Sequence, residues 1–394
     1  MCDFLPSGWR SVPLREIAQP IKRPVTIQDE VQYRTMGVKW WGEGAYERET
    51  RYGREIKSSK LFAVRSGDLV INRIWVRHGS SGIIDEMLEG CVVTQDFPTF
   101  QLDTSQVVTA WLRYMFKAAW FWQECDNKSR GTSGRQRINP DEYLDIIIPL
   151  PPLEEQQRIV AKLDALRVRV EQALALQAAA IDLSHHWFIS SQRQYFEQLV
   201  TNYGARPLKG LFSFRQELQR HKTGERGNVR FIGLQHIEPN TGRRIGEDLI
   251  KLEELSGRKF RFFPGDIVYG YLRPYLNKVW VADCDGLCSV DQYVLRPDNA
   301  TVLTRYLAHA MRSPLFLKQS EELTGLLTLP RLRSGLLEQI EIPVPPLEVQ
   351  ERVVEQLDAL YTLFGELTSL QQQSMEEIEA LLPATLNRAF RGKM

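Results

Sequence analysis

The sequence holds little that would mark a secreted, membrane-spanning or catalytic chain. Its 394 residues contain no apolar run long enough to cross a bilayer, and the opening MCDFLPSGWR lacks the basic-then-apolar order of a signal peptide. The expected compartment is the cytoplasm. The five cysteines Cys2, Cys91, Cys125, Cys284 and Cys288 form no CxxC pair, which argues against a disulfide framework. Cys284 and Cys288 have no histidine at ligand spacing, so a zinc site there carries little weight. No GxxxxGK[ST] loop is present for a nucleotide. A Gly-rich cofactor turn with an Asn/Asp-Pro-Pro-aromatic run is missing too, Asn139-Pro140-Asp141-Glu142 being the nearest fragment and better read as a turn into a helix. Pro140-Asp141-Glu142-Tyr143 lacks the lysine of a Pro-Asp/Glu-x-Lys nuclease core, and His185-His186 falls inside a helical stretch. No catalytic residue and no metal ligand is assigned.

What is present is ordinary in amount and unusual in order. Hydrophobic content is 43%, charged content 25% and net charge +1, as in a globular protein of two or three domains. Residues 206–342 carry 21 Lys+Arg against 16 Asp+Glu, and residues 1–150 carry 20 against 19, so any basic bias is mild. The stretch IPLPPLEEQQRIVAKLDAL at 148–166 returns as IPVPPLEVQERVVEQLDAL at 342–360, identical at 13 of 19 positions with an offset of 194. Ser66-Gly67-Asp68-Leu69-Val70 likewise answers Pro264-Gly265-Asp266-Ile267-Val268. A period of half the chain points to tandem duplication of one module, a globular part followed by a helix.

Leu69-Val70-Ile71, Ile146-Ile147-Ile148, Ile267-Val268-Tyr269 and Val279-Trp280-Val281 have the length and composition of strands. Trp111 to Gln123 and Leu303 to Lys318 read as helices, so the globular parts are mixed α/β (α+β). Pro149, Pro151 and Pro152, like Pro343, Pro345 and Pro346, hold the chain extended and then supply a φ suited to a first helical turn. Beyond them Ile159, Leu163, Leu166, Val170, Ala173, Gln177, Ala180, Ser184 and Trp187 keep a four-three spacing. Val353, Leu357, Leu360, Phe364, Leu367, Gln371, Ser374, Ile378 and Leu381 repeat it. This is a coiled-coil pattern with a polar residue, Gln177 or Gln371, at one core position. The linker before Pro207 is too short to return along a parallel helix, so the pair is expected to be antiparallel, with pseudo-two-fold symmetry. The domains read as 1–150, a helix 151–200, 201–344, and a helix and tail 345–394.

If the paired core runs from Ile159 to Trp187 it is about 42 Å long. One turn of B-DNA is about 34–36 Å. Lys128 to Arg137 carries Lys128, Arg130, Arg135, Gln136 and Arg137 among glycines and hydroxyls with no acid, a composition that can approach phosphates and base edges. The same stretch also reads as a solvated loop. Arg73 and Arg77 follow the first Gly-Asp turn; Arg273, Tyr275 and Lys278 follow the second. Arg215, Arg220, Lys222, Arg331 and Arg333 complete the DNA-binding candidates.

With these residues assembled, the chain resembles the specificity subunit of a Type I restriction-modification system. The resemblance rests on Leu5-Pro6-Ser7-Gly8-Trp9, both Gly-Asp-Leu/Ile-Val turns, Leu272-Arg273-Pro274-Tyr275-Leu276-Asn277-Lys278, the doubled Ile-Pro-x-Pro-Pro-Leu-Glu-x-Gln and Ala389-Phe390-Arg391-Gly392. It implies a non-catalytic subunit with two target recognition domains, each reading half of a bipartite asymmetric sequence in double-stranded DNA. It also implies docking of two adenine-N6 methyltransferase subunits, to which a restriction subunit can be added, with S-adenosylmethionine, ATP and magnesium bound by those partners and no cofactor by this chain. Partner contacts are expected at Leu153, Gln156, Arg158, Leu347, Gln350 and Arg352, for which helix-start packing is the competing account. The first module has Arg73-Ile74-Trp75-Val76-Arg77-His78 in place of Leu272 to Lys278, so the two halves should read different bases. A coiled-coil adaptor that binds proteins and a metal-dependent nuclease stand as rival readings.

Overall fold

The computed structural model describes residues 5–58, 60–131, 136–219, 227–255, 257–325 and 328–394. The chain divides into two units, one of residues 1–177 with 373–394 and one of residues 178–372.

In the first unit a four-stranded sheet takes the order Ala18–Ile21, Thr99–Leu102, Leu69–Ile71, Ser81–Ile83. A five-stranded sheet takes the order Pro24–Val25, Leu61–Ala63, Val92–Val93, Gln32–Val38, Ala45–Tyr52. The strand Leu69–Ile71 explains the layering. Leu69 and Ile71 point into the core built with the helices, whereas Val70 joins Met36, Val38 and Val93 of the five-stranded sheet. A strand buried on both faces has no reason to alternate with polar residues, hence its unbroken apolar run.

The second unit repeats this topology strand for strand. Its four-stranded sheet is Phe212–Phe214, Gln292–Pro297, Ile267–Gly270, Val279–Val281. Its five-stranded sheet is Leu218–Gln219, Lys259–Phe262, Gly286–Cys288, Asn228–Ile232, Asp248–Lys251. Ile267 and Tyr269 face the helical core and Val268 faces the other sheet. Each unit has a further two-stranded pair, Arg10–Pro13 with Ile147–Leu150 and Arg206–Pro207 with Glu341–Ile342. The two segments read as single helices are each two: Thr109–Phe116 with Ala119–Lys128, and Thr304–Arg312 with Pro314–Thr324. In the second unit the break falls at Ser313, whose hydroxyl accepts from the Phe316 N–H at 3.3 Å ahead of Pro314, starting a new helix.

The Gly-Asp turns have a definite task. Gly67 and Gly265 adopt φ of +83° and +87°, the left-handed region glycine enters freely. Each following aspartate is buried and ties down the turn, Asp68 accepting from the Arg65 N–H at 3.2 Å and Asp266 from the Phe263 N–H at 2.9 Å. Arg23 and Arg215 then neutralise those carboxylates with paired bonds.

The long helices run Leu153–Tyr203 and Leu347–Ala389. In the second unit they are antiparallel: Ser184 bonds Gln371 at 3.3 Å, Phe188 stacks on Phe364 with centroids 4.1 Å apart, Tyr361 bonds Gln192 at 3.4 Å and Tyr195 bonds Gln356. In the first unit Ile159 and Leu163 share a core with Leu386 and Phe390. The strict four-three seam does not hold throughout. Trp187 is 51% exposed and Phe188 takes its place in the core, while Leu367 and Leu381 also face solvent. A straight helix has 3.6 residues per turn, so a 3.5-residue pattern drifts off the contact line within a few turns. No helix among the described residues is long and apolar enough to cross a membrane.

Candidate nucleic-acid interface

Both units build the same local construction, a loop leaving the central strand of the four-stranded sheet laced to the segment after the second helix. In the first unit the Arg73 N–H donates to Asp96 O and Arg73 O accepts from the Ile138 N–H, both at 3.0 Å. The Arg73 Nε returns to Ile138 O at 3.1 Å. Arg77 donates to the Gln136 side-chain oxygen, and Arg130 and Arg137 exchange backbone bonds of 3.1 and 2.9 Å that close the base of the glycine-rich loop. Arg137 also lies 3.5 Å from Asp96. Thus Arg73, Arg77, Arg130, Gln136 and Arg137 converge, with Arg130 and Arg137 exposed and Lys128 half-buried beside them. Arg135 lies outside the described residues.

In the second unit the Tyr271 N–H donates to Asp291 O at 3.2 Å and Tyr271 O accepts from the Leu332 N–H at 3.0 Å. These bonds stand where those of Arg73 stand in the first unit. The Arg273 N–H donates to Pro330 O at 2.8 Å, bringing Arg273 and Tyr275 together with Arg331 and Arg333. All four are exposed. Arg273 and Asn277 have φ of +54° and +49°, and the buried Asn277 fixes the loop by donating to Asn240 at 3.2 Å and to Arg312 O at 2.9 Å.

Several sequence expectations need correcting. Arg215 is no DNA-facing cation: its Nε and Nη2 hold Asp266 at 2.8 and 3.1 Å, and its guanidinium lies over the Phe263 ring. Lys278 turns inward, its Nζ donating to Leu234 O at 2.5 Å, and burial lowers its pKa. Arg220 and Lys222 lie outside the described residues. Gln156 and Gln350 are fully buried and already occupied. The Gln156 Oε1 accepts from the Val108 N–H at 2.8 Å and its Nε2 donates to Gln106 O and Pro151 O at 2.9 and 2.8 Å. The Gln350 Oε1 accepts from the Leu303 N–H at 2.9 Å and its Nε2 donates to Thr301 O and Pro345 O at 3.1 and 2.8 Å. A buried amide with all those groups satisfied anchors the helix start and has nothing to offer a partner. Arg158 and Arg352 are exposed, Leu347 is 37% exposed and Leu153 is half-buried, so these four remain available to one.

Sequence reasoning missed Trp40 and Trp41, which stand beside the first arginine loop. The signal was the double tryptophan before Gly42, in a turn more than thirty residues upstream.

The interfaces offer guanidinium donors, amide groups and aromatic surface, the chemistry that contacts phosphates and base edges. Among the described residues no group of three or more His, Cys, Asp or Glu could hold a metal ion. Residues 6–175 and 206–380 match the model of the Type I restriction modification DNA specificity domain. The chain belongs to that DNA specificity family. Its two matched stretches coincide with the two copies of the repeat. Among curated members, the Type I restriction enzyme EcoDI specificity subunit of Escherichia coli is 25% identical over 290 residues, 65% of this chain and 64% of that one. The StySPI specificity subunit of Salmonella potsdam is 22% identical over 315 residues, 72% of this chain and 65% of that one. The chain therefore spans a little under two thirds of the length of these relatives. Two solved structures share the fold at 21% identity. One, from work on complex assembly and conformational transition of the type I R-M system, covers 100% of both chains with a TM-score of 0.75. The other, the HsdS subunit from Thermoanaerobacter tengcongensis, covers 99% of this chain and 98% of its own with a TM-score of 0.65.

Proposed function

We propose that this chain is the non-catalytic DNA specificity subunit of a Type I restriction-modification complex, each unit reading one half of a split, asymmetric duplex target. The observation that carries the reading is the twice-built interface: one backbone lacing pattern, two different sets of reading groups. Arg77 and Gln136 serve the first unit, and Arg273, Tyr275, Arg331 and Arg333 the second. The family match supports DNA specificity over the coiled-coil adaptor.

The doubled helix start supports docking of two adenine-N6 methyltransferase subunits, through Leu153 and Arg158 in one copy and Leu347 and Arg352 in the other. Exposed apolar residues on the helices of the second unit, Leu183 at 71%, Leu363 at 60% and Leu370 at 64%, extend the surface open to such partners. S-adenosylmethionine, ATP and magnesium belong on those partners and on any restriction subunit, and the complex works in the cytoplasm.

Deleting the gene and mapping N6-methyladenine across the genome tests the proposal. One split motif should lose its methylation in a host that expresses the system. Retention of every split motif overturns it.

A further inference from the structure

Trp40 and Trp41 form the least expected surface of the first unit. They close the turn between the strands Gln32–Val38 and Ala45–Tyr52 and are 44% and 51% exposed. The Trp40 ring stacks on His78 with centroids 5.2 Å apart and lies 5.1 Å from Trp75. Trp41 lies 5.2 Å from Trp122 and 6.0 Å from His78. Trp41 has φ of +60°, a left-handed backbone that bulky residues rarely adopt. Bonds from the Trp41 N–H to His78 O at 2.7 Å and from the Gly42 N–H to Gly79 O at 2.9 Å hold it there. Glycine is required next, since a Cβ on Gly42 would meet the Phe116 carbonyl oxygen at 2.4 Å. The fold thus accepts strain and keeps two indoles at the surface, where burying them would have been favourable.

The patch is continuous with the arginine loop, because Trp75, Arg77 and His78 belong to one short segment and Arg77 bonds Gln136. The surrounding segments carry more basic than acidic residues, Arg73, Arg77, Lys128, Arg130 and Arg137 against Asp96, Glu124 and Asp126, with Arg137 3.5 Å from Asp96, while Glu43 beside Trp41 is held by Lys117 at 3.0 Å. In the second unit the corresponding connection, residues 233–247, contains no tryptophan and presents Leu234 and Gln235.

We propose that Trp40 and Trp41 contact duplex DNA directly, packing against deoxyribose and base edges beside the groups approached by Arg77 and Gln136, and set sequence preference at the first unit's half-site alone. This rests on the DNA specificity reading above. Arginines on phosphates add affinity without sequence information, whereas apolar contact discriminates thymine methyls and easily deformed steps. A cationic loop fused to an aromatic platform fits that surface.

The test uses the complete complex with its methyltransferase subunits, comparing wild type, Trp40→Ala/Trp41→Ala and Trp40→Phe/Trp41→Phe by genome-wide N6-methyladenine mapping and by competition binding with duplexes substituted one base pair at a time. The half-site whose reading changes in Arg331→Ala identifies the second unit's. The alanine variant should lose at least tenfold discrimination at the other half-site, keep the second within twofold, and be partly restored by phenylalanine. Unchanged discrimination at both half-sites, or equal loss at both, overturns the inference. Failure to assemble with unaltered preference in what does assemble also overturns it, and assigns the patch to a protein partner. Should the double alanine variant not fold, Trp40→Gln, which leaves the strained Trp41 backbone alone, carries the same comparison. If the wild-type complex methylates no split target, the DNA specificity reading itself fails, a result separate from any of these.

Discussion

Replacing Gln350 with leucine tests whether the repeated glutamine is an anchor or a partner contact. The substitution keeps the volume roughly constant and removes three hydrogen bonds, leaving the Leu303 N–H, Thr301 O and Pro345 O without their buried partner. A stranded buried N–H costs about 1–3 kcal/mol, and carbonyls with a second lone pair cost less. The sum is about 3 kcal/mol. In a unit of this size about 1 kcal/mol moves the melting temperature by about 2–4 °C, so calorimetry should record a fall of roughly 6–12 °C. Gln350→Glu sharpens the test. Its carboxylate can still accept from Leu303 but faces two carbonyls, so the folded protein favours the protonated acid and its pKa rises above the unfolded value near ~4.3. The folded state then holds the proton more tightly than the unfolded one, and stability falls as pH rises from that value through the raised folded one. Melting temperatures of both variants within about 2 °C of wild type, with partner assembly lost, would refute the anchoring account.

The remaining predictions separate holding from reading. Arg215→Ala strands the buried Asp266 carboxylate and should cost about 2–4 kcal/mol in denaturant unfolding, where a DNA-facing arginine would cost almost nothing. Arg331→Ala should leave the melting temperature unchanged and relax base discrimination at the second unit's half-site roughly tenfold, read by competition binding with substituted duplexes. His309 is held near a pKa of about 4 by burial, although Asp358 lies 2.8 Å from its Nε2. Because the Arg312 Nη2 can only donate, the His309 Nδ1 at 3.0 Å must accept, and the neutral ring gives its Nε2 proton to Asp358. A base whose folded pKa is depressed stabilises the fold above its unfolded value, near ~6.5, and that stability is lost as pH falls toward about 4. Acid unfolding of wild type should therefore show a loss in that window that His309→Gln lacks. Leu363→Asp with Leu370→Asp should reduce methyltransferase assembly, read by size-exclusion chromatography, without changing the melting temperature, since both side chains are already exposed.

The fold was legible where sequence pattern and burial share a cause. The proline-led helix starts fall at Leu153 and Leu347, and the apolar triplets are central strands because both their faces are covered. The five-stranded sheets were not legible: Val92–Val93 pairs in parallel with Gln32–Val38 across more than fifty residues, and two-residue strands carry no period to read. At the candidate site, charge alone could not separate Arg215 from Arg331. Both are arginines near a turn, and the difference lies in whether a buried aspartate stands within reach. Gln156 and Gln350 misled for the opposite reason, since a polar residue on a helix start reads as solvent-facing until the loop that covers it is known.

The two units differ in a way that bears on why a duplicated chain can read an asymmetric target. Positions that repeat in kind are those whose loss would strand a buried group: the Arg23–Asp68 and Arg215–Asp266 clamps, Gln156 and Gln350, the left-handed Gly67 and Gly265. Where the side chain meets solvent the copies have largely parted, with Trp40-Trp41 against Leu234-Gln235, Arg77 against Tyr275 and Gln136 against Pro330, while Arg137 and Arg331 remain alike. The lacing shared by Arg73 and Tyr271 is indifferent to most of the side chains around it, because its repeated bonds use only N–H and C=O groups, the Arg73 Nε bond to Ile138 O being an addition of the first unit. Reading groups can therefore change without loosening the loop that presents them. Exchanging residues 74–78 for their second-unit counterparts should consequently alter sequence preference far more than stability. A variant that unfolds, with the lacing at residue 73 untouched, would show that the side chains and not the backbone bonds hold the loop.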